Sequence, residues 1–343
     1  MLESTEPHNP PTRTAWKGWV AVFLVLGALV WFASLVNLPY YAFAPGPIKQ
    51  VDPLIRVEGA DRFDSSGTFY MLTITREEVS LFGYLVAGLD AGVDLVPVEA
   101  VRPPEVSQDE QRRIDLGQME DAKAVAAAVA LDRLGYEVGM VGEGVAVRSV
   151  EDGPARGILD PFDVITAIDG EPVMVVDDLL AALGRRSPGD TVRLQVERDG
   201  TVLELVAVLG PPLEAGGRPL LGIAVATHKL RFDLPVDVGI ESEAIAGPSG
   251  GLMFTLGIMD ALNAEDLTHG REIAGTGEIR FDGSVGPIGG ARQKVLSAKA
   301  AGADLVLVPD ENLAEAEAAA DDEIEVVAVS TIDEALDYLS TLS

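Results

Sequence analysis

Two short blocks hold residue types that could do nucleophilic chemistry. In Gly247-Pro248-Ser249-Gly250-Gly251 a Gly/Pro turn delivers a serine to a helix start, and Leu252, Leu256, Met259 and Leu262 recur at helical spacing with Met253 beside them. A hydroxyl held there lies near backbone N–H groups at the positive end of a helix dipole. Such N–H groups could stabilise an oxyanion formed by attack on a carbonyl. Pro248 has none, so the candidate donors are Gly247, Ser249 and Gly250. The structural reading competes, because serine is a preferred N-cap. The GxSxG elbow of the α/β hydrolases is not matched, since proline precedes the serine and no clear strand ends there.

The second block, Gly289-Gly290-Ala291-Arg292-Gln293-Lys294, supplies an amine. At ~100° per residue a helix starting near Ala291 places Lys294 on one arc with Ala291, Ala298 and Ala301, with Val295 close by. Lys299 falls beside Arg292, on the side expected to be wet. Desolvation lowers a lysine's pKa, and a neutral amine can act as a general base near neutral pH. The alternative is that Lys294 snorkels past the alanines to water. The chain has six lysines against nineteen arginines, which makes a lysine on an apolar arc more informative.

Three runs carry a family resemblance: Ala246–Leu262 (AGPSGGLMFTLGIMDAL), Ile273–Lys294 (IAGTGEIRFDGSVGPIGGARQK) and Val295–Asn312 (VLSAKAAGADLVLVPDEN). They resemble the proteolytic domain of Lon-type Ser–Lys peptidases. With the anchor and PDZ-like segment described below, the whole chain resembles the membrane-anchored PDZ–Lon-like proteins of bacteria (YlbL type). The resemblance implies that Ser249 is the nucleophile, Lys294 its base, and Thr276 a hydrogen-bonding residue that orients the lysine. It also implies a homo-oligomer, since Lon-type domains often form rings. Two positions depart from the ATP-dependent members: Ala246 stands where an acidic residue is common three before the serine, and Gly250 where alanine usually follows it.

Length and composition set the frame for these blocks. A chain of 343 residues accommodates two compact domains and an anchor. It contains no cysteine, which excludes disulfides, thiolate zinc sites and a cysteine nucleophile. Its 25 basic and 55 acidic residues give a net charge of −30, which argues against nucleic acid as a partner and against adsorption of the soluble part on anionic lipid.

Residues 1–17 read as a cytoplasmic tail, with Met1–Thr14 expected to be disordered. Gly18–Leu38 is an uncharged, almost wholly apolar run of twenty-one residues, long enough to span ~30 Å of hydrocarbon as a helix, and Pro39, Tyr40 and Tyr41 would form an aromatic exit. A cleaved signal peptide is the rival, because Ala42-Phe43-Ala44 fits the A-x-A pattern. The apolar run exceeds a usual h-region and Pro45 would sit just after the cut, which favours an uncleaved single-pass anchor in the cell membrane. Arg13 and Lys17 put the short N-terminus on the cytoplasmic side and the catalytic part outside, extracytoplasmic.

Residues 46–135 read as the N-terminal part of the catalytic region. Phe69–Thr75 is expected as a buried strand, Val79–Gly88 as helix or continued sheet, and Asp109–Leu134 as a helix with Met119, Ala122, Ala126, Val129 and Arg133 along one side. Residues 137–210 form a different module: short strands surround one helix at Val176–Leu183, and GPARGILDPFDVITAIDGEPV resembles the middle of a bacterial PDZ domain, with Phe162 where that family usually has glycine. Such modules capture chain ends by strand addition; the alternative is a spacer.

Leu213–Pro219 reads as a linker, and residues 220–343 as the Lon-type domain. There Leu220–Ala226 and Leu234–Glu241 are strands leading to Ser249, followed by strands Asp304–Val308 and Ile324–Val329 and helices Glu311–Ala320 and Ile332–Leu339. The fold class is therefore α/β (α+β), with the PDZ-like β-rich module either inserted into one discontinuous catalytic domain or lying in series with two others.

No HExxH or comparable cluster suggests a metal, no cofactor is implied, and GxxxxGK[ST] does not occur. His228 and His269 read as turn and loop residues, not as partners of Ser249 in a triad. The expected function is a membrane-anchored, ATP-independent serine endopeptidase acting on polypeptide, with the PDZ-like module binding substrate or protein C-termini. The alternative from another class is a membrane-tethered PDZ scaffold whose peptidase site is vestigial.

Overall fold

A computed structural model describes residues 13–102, 106–212, 217–242 and 245–342. The expected tail thus lies largely outside the described residues, as does much of the 213–219 linker. The chain divides into two compact units. One joins residues 1–126 with 238–343, and the other comprises residues 127–237.

The first unit is built on a five-stranded sheet with strand order Lys49–Gln50, Thr68–Met71, Glu272–Gly275, Leu305–Pro309 and Glu325–Val329. The last four run parallel in register, with Ile273 opposite Phe69 and Leu305, and Leu305 opposite Glu325. Every residue of Leu305–Pro309 is buried, as a parallel strand covered on both faces requires. The strand Thr68–Met71 comes from the N-terminal stretch, so the catalytic sheet draws on sequence from both sides of the intervening unit.

The run Phe69–Thr75 does not form one strand. It breaks at Leu72 and Thr73, and Ile74–Ser80 enters a second, antiparallel sheet between which and Asp94–Pro97 lies the central strand Asn37–Pro45. Both readings of Val79–Gly88 are realised in succession: the strand ends at Ser80, whose hydroxyl accepts the Gly83 N–H and caps the helix Leu81–Ala87.

The N-terminal helix runs Arg13–Leu35, three residues short of the expected end at Leu38, because Asn37 already pairs with Ser80. Tyr41 is not part of an aromatic exit. It is buried in the three-stranded sheet, hydrogen-bonded to Glu78 and overlaid by the Arg76 guanidinium. Ala42-Phe43-Ala44 sits in the central strand, paired on both sides. Among the described residues no helix is long and apolar enough to cross a membrane. Of the expected span Gly18–Leu38, the part up to Leu35 is helix and Asn37–Leu38 already belongs to the strand Asn37–Pro45.

The second unit is a six-stranded antiparallel sheet with order Thr201–Val208, Thr191–Arg198, Val164–Ile168, Val145–Val150 and Ile223–Thr227, with Glu171–Pro172 paired beside Val164–Ile168. Alternation along Thr191–Arg198 turns Val192, Leu194 and Val196 into a core shared with Ile165, Ile168 and the helix Val176–Gly184. The stretch expected at Leu220–Ala226 as a lead-in to Ser249 belongs here instead. As Ile223–Thr227 it pairs with Val145–Val150, while Asp237–Ile240 pairs with Ile55–Glu58.

Candidate active site

Ser249 occupies the middle of a 3₁₀ turn, Pro248–Gly250, that runs directly into the helix Gly251–Leu262. That helix is buried on all sides but for its last residue, so it is a central element and not a surface one. The turn forms because Pro248 fixes the first helical φ and Gly247 takes φ 90, a region open to glycine. Gly250 has a packing reason: a Cβ there would stand 2.4 Å from the Met71 sulfur.

The serine is not a cap. Neither the turn nor the helix has a side-chain cap hydrogen bond. The hydroxyl faces Lys294, whose Nζ lies 2.9 Å from Ser249 Oγ and 2.8 Å from Thr276 Oγ1. Thr276 in turn donates its hydroxyl proton to the Ser249 carbonyl at 3.0 Å, and the Gly277 N–H donates to that same carbonyl at 2.8 Å. The segment after the strand Glu272–Gly275 therefore stitches the serine turn from behind. The Leu252 N–H donates to the Gly277 carbonyl and closes the stitch.

Lys294 projects from the helix Ala291–Ala301 and is 2% exposed, so it does not snorkel. Burial lowers its pKa from 10.5 to about 7, and no carboxylate contributes to that shift. Its N–H groups face two hydroxyl oxygens, and in the neutral state its lone pair can face the serine proton at the same separation. Lys299 is less wet than its spacing suggests: its amine donates to the Ala319 carbonyl and pairs with Glu323.

The lysine helix is fixed at its start by residues that local pattern does not reveal. Asp94, from the three-stranded sheet, accepts from Arg292 at 2.7 Å and from the buried Gln293 at 2.6 Å. Asn312 donates to the Ile288 carbonyl and accepts the Ile288 N–H, pinning the Gly286–Gly290 loop. Asn312 belongs to the family run; Asp94 carries no sequence signal.

One expected oxyanion donor is not available. The Gly247 N–H donates to the Asp115 carbonyl at 2.8 Å, which leaves the N–H groups of Ser249 and Gly250 as candidates. Asp115 lies on the helix Gln108–Arg133, and its carboxylate is paired with Arg76 at 2.6 Å and with Gln111 at 2.7 Å. His269 is exposed, in a left-handed turn conformation with φ 50. His228 is held by reciprocal backbone bonds to Glu143 and Gly144.

In the second unit the sheet ends on Ile223–Thr227, which has Val145–Val150 as its strand partner. The helix Val176–Gly184 starts beside it, with the Val176 N–H donating to Thr227 Oγ1 at 3.1 Å. An edge strand next to a helix offers unpaired backbone groups to an extended chain.

Comparison with known proteins places both units. Residues 228–341 match the model of the Lon protease (S16) C-terminal proteolytic domain, and residues 132–208 match the PDZ domain. The chain is 30% identical over 191 residues to Lon protease 2 of Herpetosiphon aurantiacus, covering 51% of this chain and 23% of that protein. To Lon protease 2 of Bacillus subtilis it is 29% identical over 204 residues, covering 59% of this chain and 33% of that one. Among solved structures, the PDZ domain of an SdrC-like protein from Listeria innocua is 32% identical, matched over 25% of this chain and 96% of that one. Its TM-score of 0.23 is too low to add weight. The chain thus spans about a quarter to a third of the length of these Lon relatives. It carries one segment that matches the proteolytic domain of the Lon serine peptidases and another that matches a PDZ domain.

Proposed function

We propose that the chain is a membrane-anchored serine endopeptidase that cleaves flexible or unfolded polypeptide with a Ser249–Lys294 dyad and without nucleotide. The observation that carries this reading is the buried Lys294 amine, brought to a pKa of about 7 by desolvation and set 2.9 Å from the serine hydroxyl. Neutral Lys294 takes the Ser249 proton as Oγ attacks the peptide carbonyl. The Ser249 and Gly250 N–H groups receive the oxyanion. The ammonium then returns its proton to the leaving amine, leaving an acyl-enzyme. Water releases the acyl group with Lys294 again acting as base. Thr276 holds one amine N–H and so aims the lone pair at the serine.

The PDZ module's part is capture of a substrate or partner chain end, supported by the edge strand Ile223–Thr227 beside the helix Val176–Gly184. Cleavage without nucleotide belongs to the same reading, and the digestion below is run without added nucleotide to test it. Anchoring through the N-terminal helix, with the catalytic part extracytoplasmic, is supported by its exposed apolar side chains from Trp19 to Leu35 and by the uncharged run Gly18–Leu38. Homo-oligomerisation, implied by the family resemblance, belongs to the same reading and is measured by sedimentation in detergent.

Digestion of an unfolded protein by the full chain in detergent, without added nucleotide, tests the proposal. Wild type should cleave, and Ser249→Ala and Lys294→Arg should not. Proteolysis by Ser249→Ala removes the nucleophile from the scheme, and a requirement for ATP removes its nucleotide independence.

A further inference from the structure

The short helix Leu81–Ala87 carries a surface that the peptidase chemistry does not use. Leu81, Phe82, Leu85 and Val86 are exposed on it, with Leu89 in the turn beyond; Phe82 is 39%, Leu85 61% and Leu89 88% exposed. Their spacing of i, i+1, i+4, i+5 and i+8 gathers them on one helical face. A contiguous exposed apolar face of this kind marks a binding surface. From Leu81 to Leu89 the sequence holds no charged residue.

The position of this helix says what covers it. The Leu81 N–H donates to the Val36 carbonyl at 2.7 Å, immediately past the end of the N-terminal helix Arg13–Leu35, so the two apolar surfaces are continuous. On the inner side, Tyr84 meets Tyr40 edge to face, ring centroids 5.1 Å apart at 67°. Tyrosine side chains are enriched at the headgroup level of a bilayer. Of the acidic residues that bracket the segment, Glu78 is paired with Arg102, while Glu77 and Asp90 oppose attraction to anionic headgroups, which leaves apolar insertion as the mode of contact.

We propose that the Leu81–Leu89 face is seated in the lipid surface beside the anchor, so that the catalytic unit contacts the bilayer at a second place. This rests on the anchoring part of the function proposed above. Contact through apolar side chains binds zwitterionic lipid as well as anionic lipid and survives high salt.

The chain has no cysteine, so single probes can be introduced cleanly. The full chain is reconstituted in phosphatidylcholine vesicles as Leu85→Cys, Leu89→Cys, Leu26→Cys and Val202→Cys, each carrying an environment-sensitive fluorophore. All four positions are exposed, so the label displaces no packing. Probes at 85 and 89 should lose emission to brominated lipid and resist aqueous iodide, while the probe at 202 should show the reverse. If the probe at 26 is quenched by brominated lipid but those at 85 and 89 are quenched by iodide, the second contact is overturned while the anchor stands. If the probe at 26 is itself open to iodide, the anchor reading fails and this inference with it. Probes at 85 and 89 shielded from both quenchers would mean that protein, such as a second copy of this chain, covers the face, which also overturns the proposal.

Discussion

Lys294 Nζ stands 2.9 Å from Ser249 Oγ in a position that leaves the lysine almost without water. Desolvation lowers its pKa to about 7, so single-turnover acylation should rise with pH and reach half its plateau near 7. The same shift is a stability statement. Between about 7 and 10.5 the unfolded chain binds a proton at this amine that the folded chain does not, so stability rises with pH across that window and is level below it. Lys294→Met removes the titration and keeps the packing. The stability of wild type relative to this variant should therefore grow by on the order of 3 kcal/mol between pH 7 and 10. Denaturant titrations at both pH values read the difference, and an unchanged difference would place the folded-state amine in water.

Thr276 receives one Lys294 N–H and gives its own proton to the Ser249 carbonyl. Thr276→Val keeps the shape and removes both bonds, at a cost of about 1–3 kcal/mol in positioning. The expected result is a kcat about ten- to a hundredfold lower with KM unchanged, restored by Thr276→Ser. Failure of serine to restore the rate would assign the loss to packing.

Much of this site was legible because its signals are local. Helical spacing after Ser249 marks an apolar helix, and the ~100° arc from Ala291 sets Lys294 among alanines while leaving open whether its amine reaches water, a choice the fold settles by burial. Thr276 came from the family run, not from any period. What could not be read were bonds between distant stretches: Asp94 on Arg292 and Gln293, and the Asp115 carbonyl that takes the Gly247 N–H. No local pattern encodes a contact across so much chain. Ile223–Thr227 was legible as a strand but not as a member of the PDZ sheet, since alternation is the same whichever sheet receives the strand. Tyr41 failed as an exit marker because an aromatic residue after an apolar helix serves a β-sheet core equally well.

The Asp115 contact makes a separate prediction. Its carbonyl holds the Gly247 N–H while its carboxylate is gripped by Arg76. The ion pair is partly screened by solvent, so its stability share is about 1 kcal/mol or less. Its larger effect should be on the serine turn. Asp115→Asn and Arg76→Met should each lower kcat several-fold with little change in KM, and the double variant should be no worse than either single one. Additive losses in this cycle would show that the two side chains act independently.

Phe162, in the PDZ unit, holds a backbone conformation that its side chain disfavours. Its φ is 75, and the ring is 84% exposed, so no packing compensates. The conformation is imposed by the neighbours. The Phe162 N–H donates to the Val147 carbonyl, and the next residue, Asp163, is buried and fixed by Arg198 and by the Asp160 N–H. Burial alone would raise the Asp163 pKa, but these bonds outweigh it and hold the carboxyl below its usual value. With the turn anchored on both sides, glycine at 162 removes a left-handed penalty of about 1–2 kcal/mol, offset in part by the greater freedom it gives the unfolded chain. Phe162→Gly should therefore stabilise the PDZ unit by a net ~0.5–1 kcal/mol, whereas Phe162→Ala, which keeps the Cβ, should gain little. Chemical denaturation followed by a probe within residues 127–237 separates the two. Equal gains from alanine and glycine would trace the effect to loss of an exposed ring and not to the backbone.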